Sequence, residues 1–351
     1  MNLENKVVVV TGGSAGLGEQ ICYEAAKRGA IVVTCARRTN LIGKVKEQCM
    51  ELSGKEAYAF QLDVANPESV ARLLEKISEK VGKIDVFVNN AGYGIFQEFT
   101  EMDPAVIRNM FEVNVLGMMV LTQQVAIQMA EQKHGHIINV ASIAGKIATP
   151  KTAVYSATKF AVLGFSNALR LELKPLGINV TTVNPGPIET AFFDQADPSG
   201  SYLSSVGSLV LEPNKLAQTI VKAMIHPKRE INRPYILGAA AKLYTLFPAI
   251  GDLYGRNDVQ QKIGVETHEK SMACYCWYFT DFSDRFICGC KQYDCSDQFW
   301  LHNDSIATDL SHYWFCFVRR IDFVAGFHKR NVPSKKRTKT IEKRALGLSL
   351  E

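Results

Sequence analysis

Little in this 351-residue sequence points to a membrane, a secretory route or a nucleic acid. It lacks a long apolar run free of polar residues. The longest uncharged stretch, Val113–Ala130, contains Asn114, Gln123, Gln124 and Gln128, which suits a buried helix better than a membrane span. The start, MNLENKVVVVTGG, mixes acidic and basic residues and turns straight into a strand pattern, so no secretory signal is expected. Basic excess is confined to one end. Residues 325–351 hold eight Lys/Arg against two Glu, a net +6, and with a total of +5 the other 324 residues carry −1. A main body of that charge has no electrostatic footprint for nucleic acid. No repeat of 20–50 residues recurs. The nine cysteines, in a sequence with no secretory context, predict reduced thiols and a cytoplasmic location.

What is present is alternation. Through the first 190 residues, short β-branched runs alternate with helical patterns, the mark of a parallel sheet covered on both faces. Strands are expected at Lys6–Thr11, Ile31–Cys35, Ala57–Leu62, Ile84–Val88, His136–Val140 and Ile178–Val183, and helices at Leu17–Arg28 and Asn40–Leu52. A third helix starts at the Asn66-Pro67 cap, and a long one runs from Pro104 to about Gln132. Right-handed crossovers would wind these into one doubly wound α/β sheet. Past Pro185 the pattern loosens. Residues 187–212, with Phe192, Phe193, Leu203 and Leu209, read as a substrate lid whose apolar residues favour an apolar substrate. Pro213–Ile225 is a helix, and Ile236–Leu253 an apolar one, broken at Pro248, that docks on the main domain.

Two stretches carry chemistry. Strand one runs into Thr11-Gly12-Gly13-Ser14-Ala15-Gly16-Leu17-Gly18, where a helix begins. Glycines there allow a tight turn and let backbone N–H groups approach a pyrophosphate. Strand two ends in Ala36-Arg37-Arg38, with no acid for an adenosine ribose and two guanidiniums suited to a 2′-phosphate, which favours NADP over NAD. Further on, Tyr155 and Lys159 lie four residues apart in a run without Gly or Pro, on one helix face. An ammonium beside a phenol stabilises the phenolate, so such a Tyr can exchange a proton with a carbonyl or alcohol oxygen. Taken alone, the spacing equally fits an exposed Lys one turn from a half-buried Tyr.

In this company the sequence resembles the short-chain dehydrogenase/reductase family in its one-domain form, over roughly residues 3–256. The motifs follow in order: TGGSAGLG at 11–18, Asp63-Val64, Asn89-Asn90-Ala91-Gly92, Asn114, Ser142, Tyr155 and Lys159, Pro185-Gly186 and Thr190. The resemblance implies a Rossmann-like fold and hydride transfer between nicotinamide and a carbonyl/secondary-alcohol pair. It implies Tyr155 as acid and base, Ser142 orienting the substrate oxygen, and Lys159 holding the nicotinamide ribose. Asn114 would hold a water leading from Lys159 to solvent. It places Gly12, Ser14, Gly16, Leu17 and Gly18 at the pyrophosphate, Arg37 and Arg38 at the 2′-phosphate, and Asp63 and Val64 at the adenine. Asn89, Ala91 and Gly92 would run along the cofactor, with Pro185, Gly186, Ile188 and Thr190 beside the nicotinamide. A small-molecule substrate is expected, and a homodimer is compatible. Members that reduce acyl-carrier thioesters usually close with a strand and a glycine-rich tail; here Arg229–Pro234 and an apolar helix stand instead, which weakens a 3-oxoacyl thioester reductase. A non-catalytic NADP-binding sensor or scaffold is the rival of another class.

The resemblance leaves residues 258–351 over. They hold all three Trp and six of nine Cys, and 15 of the 33 aromatics fall within Tyr275–Phe327. Cys274-x-Cys276 and Cys288-x-Cys290, with Cys295 and Cys316, are spaced too closely for structural zinc, so no metal is expected. We read two parts, a cofactor-binding and catalytic domain over 1–257 and an extension over 258–351 without its own fold. A chain shortened to end at Asn257 should keep NADPH binding and turnover; a loss of either in the purified short chain would assign the extension a working role.

Overall fold

The structure is a computed structural model, and it describes residues 3–198, 200 and 207–249. The extension, the domain boundary expected at 257, Leu203 and the end of the last apolar helix lie outside the described residues. Within them, seven parallel strands form one sheet in the order β3-β2-β1-β4-β5-β6-β7.

Strand β1 (Val7–Thr11) shows why the sheet is covered on both sides. Successive side chains point to opposite faces. Val8 and Val10 enter one core with Ile21 and Ala25 of α1 (Gly16–Ala26), Val45 of α2 (Thr39–Ser53), and Leu216 and Ile220 of α8 (Pro213–Ile225). Val7 and Val9 enter the other core. There they meet Leu73 and Ile77 of α3 (Pro67–Lys80), Leu121 and Val125 of α5 (Met118–Gln132), and Leu169 of α6 (Ala153–Leu173). Burying each such valine is worth about 1.5–3 kcal/mol relative to exposure. The neighbouring strands are β2 (Ile31–Ala36), β3 (Tyr58–Gln61), β4 (Val86–Asn89), β5 (Gly135–Val140) and β6 (Ile178–Pro185). As expected, Asn66 caps α3, its Oδ1 accepting from Ser69 N at 3.1 Å with Pro67 next.

Three expectations are corrected. The long helix from Pro104 is interrupted: α4 (Pro104–Phe111) passes into a π-helical segment, Glu112–Gly117, before α5. Apolar spacing hides the widened turn, because Met110, Val115, Met118, Leu121 and Val125 all stay buried. This Pro104–Gln132 run is long and apolar enough to cross a membrane, but its inner side is core packing. Second, Arg229–Pro234 does not replace a closing strand. Glu230–Arg233 is strand β7, parallel to β6, and as an edge with only Ile231 buried it carries no apolar run to announce it. Third, the last helix, α9 (Tyr235–Leu246), stops before the expected break at Pro248; it docks on the main domain as expected, through one narrow side on which Ala241 is its one buried residue. Of the expected lid, Ile188 and Leu211 pair at its ends, and its described residues include a short helix, α7 (Phe192–Ala196), and a 3-10 turn at Gly207–Leu209.

One buried base ties this fold to pH. His136 is 4% exposed on β5, its Nε2 2.8 Å from Thr181 Oγ1, and burial pushes its pKa down to about 4. The unfolded chain therefore takes up a proton that the native chain refuses. Stability from this group is complete above pH 6.5 and drains away as pH falls towards 4, by about 3 kcal/mol in all. In urea titrations, His136→Gln should lose less of its midpoint than wild type across that window.

Candidate active site

All seven strands being parallel, their carboxyl ends lie along one edge of the sheet, and a cleft of about 450 Å³ opens there. Its floor at one end is the glycine turn after β1. Gly12 has φ +67°, a conformation costly for residues with a Cβ, and Asn90 holds the turn by donating from Nδ2 to Thr11 O at 3.1 Å and Gly12 O at 3.2 Å. Thr11 Oγ1 accepts from the amides of Asn90 and Ala91 at 3.1 and 3.0 Å, locking β1 to the end of β4. Gly18 sits where a Cβ would fall 2.3 Å from Gly12 O, so α1 can begin directly against the turn. Helix α1 starts with no side-chain cap at Ala15. Its first amides are thus offered to the cleft, as a phosphate would need.

Gly12, Ser14, Gly16, Leu17, Gly18, Arg37, Arg38, Asp63, Val64, Ala91, Gly92, Ser142, Tyr155, Lys159, Pro185, Gly186, Ile188 and Thr190 all line this cleft. Both arginines are exposed, and Arg38 Nη2 donates to Ser14 Oγ at 2.9 Å, which carries one guanidinium over the glycine turn. Asp63 Oδ1 accepts from Ala65 N at 3.1 Å.

Asn89 does not behave as expected. Its side chain is 4% exposed and donates to Thr122 Oγ1 at 2.7 Å and Asn139 Oδ1 at 2.8 Å, bracing β4 to β5 and α5. The neighbouring Asn90 lines the cleft instead. In a strand end the faces alternate, so a two-Asn motif presents one to the core and one to the loop, and the sequence does not say which.

At the other end, α6 carries Tyr155 in its first turn and Lys159 one turn on. Tyr155 is 8% exposed, Lys159 7%, and the ammonium lies 5.6 Å from the phenol ring centroid. Lys159 Nζ donates to Val140 O at 3.2 Å, which uses one of its three donors. Burial pulls its pKa down to about 8. Ser142, after β5, accepts from Ala144 N at 3.1 Å and donates to Pro185 O at 3.4 Å, so its hydroxyl is held between β5 and β6. Asn114 sits in the π segment. Its Oδ1 accepts from Tyr93 N at 3.0 Å and its Nδ2 donates to Tyr93 O at 2.8 Å and Thr158 Oγ1 at 3.2 Å. The widened turn thus clamps the chain just after Gly92 against α6.

Above the phenol stand three phenylalanines. Phe96 and Phe192 lie 5.6 and 5.9 Å from the Tyr155 ring, and Phe193 lies 5.2 Å from Phe192 and 6.1 Å from Phe96. Phe96 N donates to Ala196 O at 2.8 Å and Gln97 N to Lys151 O at 2.9 Å, stitching three loops together over the site. Phe96 was not singled out in the sequence. Its position four residues past Gly92 is the only signal, and that gives no contact.

The donor set fits a dinucleotide: an uncapped helix N-terminus and two guanidiniums at one end, a buried ammonium and a hydroxyl at the other. The comparisons agree. The short chain dehydrogenase model matches residues 6–199, more than half of the chain. An uncharacterized oxidoreductase of Staphylococcus saprophyticus is 33% identical over 227 residues, 65% of this chain and 94% of the relative. Among solved structures, the alcohol dehydrogenase of the archaeon Thermococcus sibiricus, complexed with 5-hydroxy-NADP, matches at a TM-score of 0.59 and 26% identity, covering 65% of this chain and 95% of that one. The 3-ketoacyl-(acyl-carrier-protein) reductase of Brucella melitensis, complexed with NADH, matches at 0.60 and 28%, covering 66% and 97%. The chain belongs to the short-chain dehydrogenase family, oxidoreductases that use nicotinamide cofactors.

The Lys159 ammonium has no carboxylate partner among the described residues, so its burial opposes folding. Lys159→Met should raise the stability of the ligand-free protein by about 1–3 kcal/mol in urea. Because the native lysine deprotonates near pH 8 and the unfolded one near 10.5, the gap between variant and wild type should be full below pH 8 and shrink as pH rises through that range.

Proposed function

We propose that this chain is an NADP(H)-dependent oxidoreductase that interconverts an apolar ketone or aldehyde and the corresponding alcohol, with Tyr155 as acid and base. The observation that carries this reading is the convergence of Tyr155, Lys159 and Ser142 on the cleft that also holds the glycine turn, with Asn114 buried behind them and bonded to Tyr93 and Thr158. When bound, the nicotinamide supplies or receives the hydride. The chain's own groups do the rest. Ser142 donates to the substrate oxygen and holds it facing the phenol. Tyr155 gives its phenolic proton to the carbonyl oxygen as the hydride reaches the carbon, or takes the alcohol proton in the reverse direction. The nearby ammonium of Lys159 stabilises the negative charge left on the phenolic oxygen, and its remaining donors suit the nicotinamide ribose hydroxyls. Asn114 is a positioning residue, fixing the backbone at Tyr93 beside the ammonium.

Preference for NADP rests on Arg37 and Arg38 at the end of β2, both lining the cleft, with Arg38 bonded to the Ser14 hydroxyl, a donor set suited to a 2′-phosphate. The three phenylalanines exclude water from the reacting oxygen and favour an apolar group on the carbonyl carbon. Nine cysteines without a secretory pattern favour a reducing cytoplasm, and the free thiols of Cys22, Cys35 and Cys49 are buried, which pushes all three pKa values up, that of Cys49 to about 12, and keeps them unreactive.

Tyr155→Phe tests the chemistry. With a carbonyl panel followed by NADPH absorbance, turnover should fall by a factor on the order of 10² or more while NADPH still binds. Near-wild-type turnover would remove Tyr155 from the mechanism. Arg37→Ala tests the cofactor: NADPH affinity should drop by about 1.5–3 kcal/mol with NADH almost unchanged, and a wild type that prefers NADH would refute the assignment.

A further inference from the structure

Helix α9 has its apolar stripe on the wrong side for a helix whose role is to cover a sheet edge. Its docked side is thin: Leu237 against Gly186, Gly238 against Asn232, and buried Ala241. Ile236, Ala239, Ala240, Leu243 and Phe247 recur at three- and four-residue spacing and so form one outward stripe. Ile236, Leu243 and Phe247 are 66, 60 and 56% exposed, and Tyr235 and Leu246 at its margins 71 and 69%. Single exposed apolar residues need no explanation, but four large ones along one short helix, with Phe247 just past its end, mark a contact surface.

The charge on this element says what kind. From Arg233 to Ala249 there are two cations, Arg233 and Lys242, and no acid, and the nearest acid before them in sequence is Glu230. Glu230 is already bound to Lys146 at 2.5 Å. Arg233 stacks over the Tyr235 ring at 3.7 Å, holding a guanidinium at the edge of the stripe. A second copy of this face would set these cations against their own kind. A surface that is apolar along its centre and negative around it would satisfy both features, and an anionic bilayer interface is such a surface.

We propose that α9 docks this protein reversibly on anionic membranes, with the Ile236–Phe247 stripe entering the headgroup region and the flanking cations meeting lipid phosphates and carboxylates. Because Leu237 touches the Pro185–Gly186 turn that lines the cleft, docking holds the cleft within about one helix diameter, roughly 10 Å, of the lipid. The docking does not depend on the catalytic reading.

The test is sedimentation of the full-length protein with vesicles of phosphatidylcholine alone, or of one part phosphatidylserine to two of phosphatidylcholine. Wild type should pellet with the anionic vesicles, several-fold less with the neutral ones, and less again at high salt. The double variant Leu243→Glu/Phe247→Glu should lose about tenfold or more of the anionic binding while NADPH binding in solution is unchanged, which shows that it folds. No pelleting of wild type would overturn the proposal. So would equal pelleting of the variant, which would assign membrane binding to another part of the chain. A wild-type dimer that the double variant dissociates would give the stripe to a second copy instead. Failure of every version to bind NADPH would count against the cofactor reading and leave this one standing.

Discussion

A positive charge held in the protein interior, with no carboxylate partner among the described residues, sets the terms for the rest of this structure. Lys159 lies one turn into α6, with a backbone carbonyl of β5 as its hydrogen-bond acceptor. Such an arrangement survives only if the surrounding scaffold is stable enough to bear it. The scaffold is the doubly covered sheet, whose two cores are fed alternately by the same strands. The polar brace of Asn89, Thr122, Asn139 and Ser166 links β4, β5, α5 and α6 just beneath the cleft. Each member of that brace has its hydrogen bonds met, so it stiffens the platform without adding an unsatisfied group.

The same logic explains how much could be read before the fold was seen. The strands were legible because a sheet buried on both faces forces continuous β-branched runs such as Val7–Val10, and α3 because Asn66-Pro67 is a start signal with a local mechanism. The pair Tyr155/Lys159 and the turn at 11–18 were legible because their chemistry depends on spacing along the chain. What stayed hidden depends on contacts between distant segments. The π turn around Asn114 keeps an apolar pattern that an ordinary helix would also give. Strand β7 pairs on one side only and buries one residue, Ile231. The choice between Asn89 and Asn90, and the place of Phe96 beside Tyr155, follow from loop paths that no periodicity encodes.

The two ends of the cleft are also built by different means. At the glycine turn the cleft is walled by backbone, with Thr11 and Asn90 spending their side chains on holding main-chain geometry. Side chains can vary around such a site with little effect on its shape. At the phenol end the walls are side chains, and the segments that carry them are joined by hydrogen bonds.

The hydrogen bond from Phe96 to Ala196 bears on timing. It joins the loop after β4 to the short helix beyond β6, across the top of the phenol, and the interlocked rings lie directly beneath it. The bond couples the two loops, so a displacement of one carries the rings of the other with it, and the two share one timescale rather than moving independently.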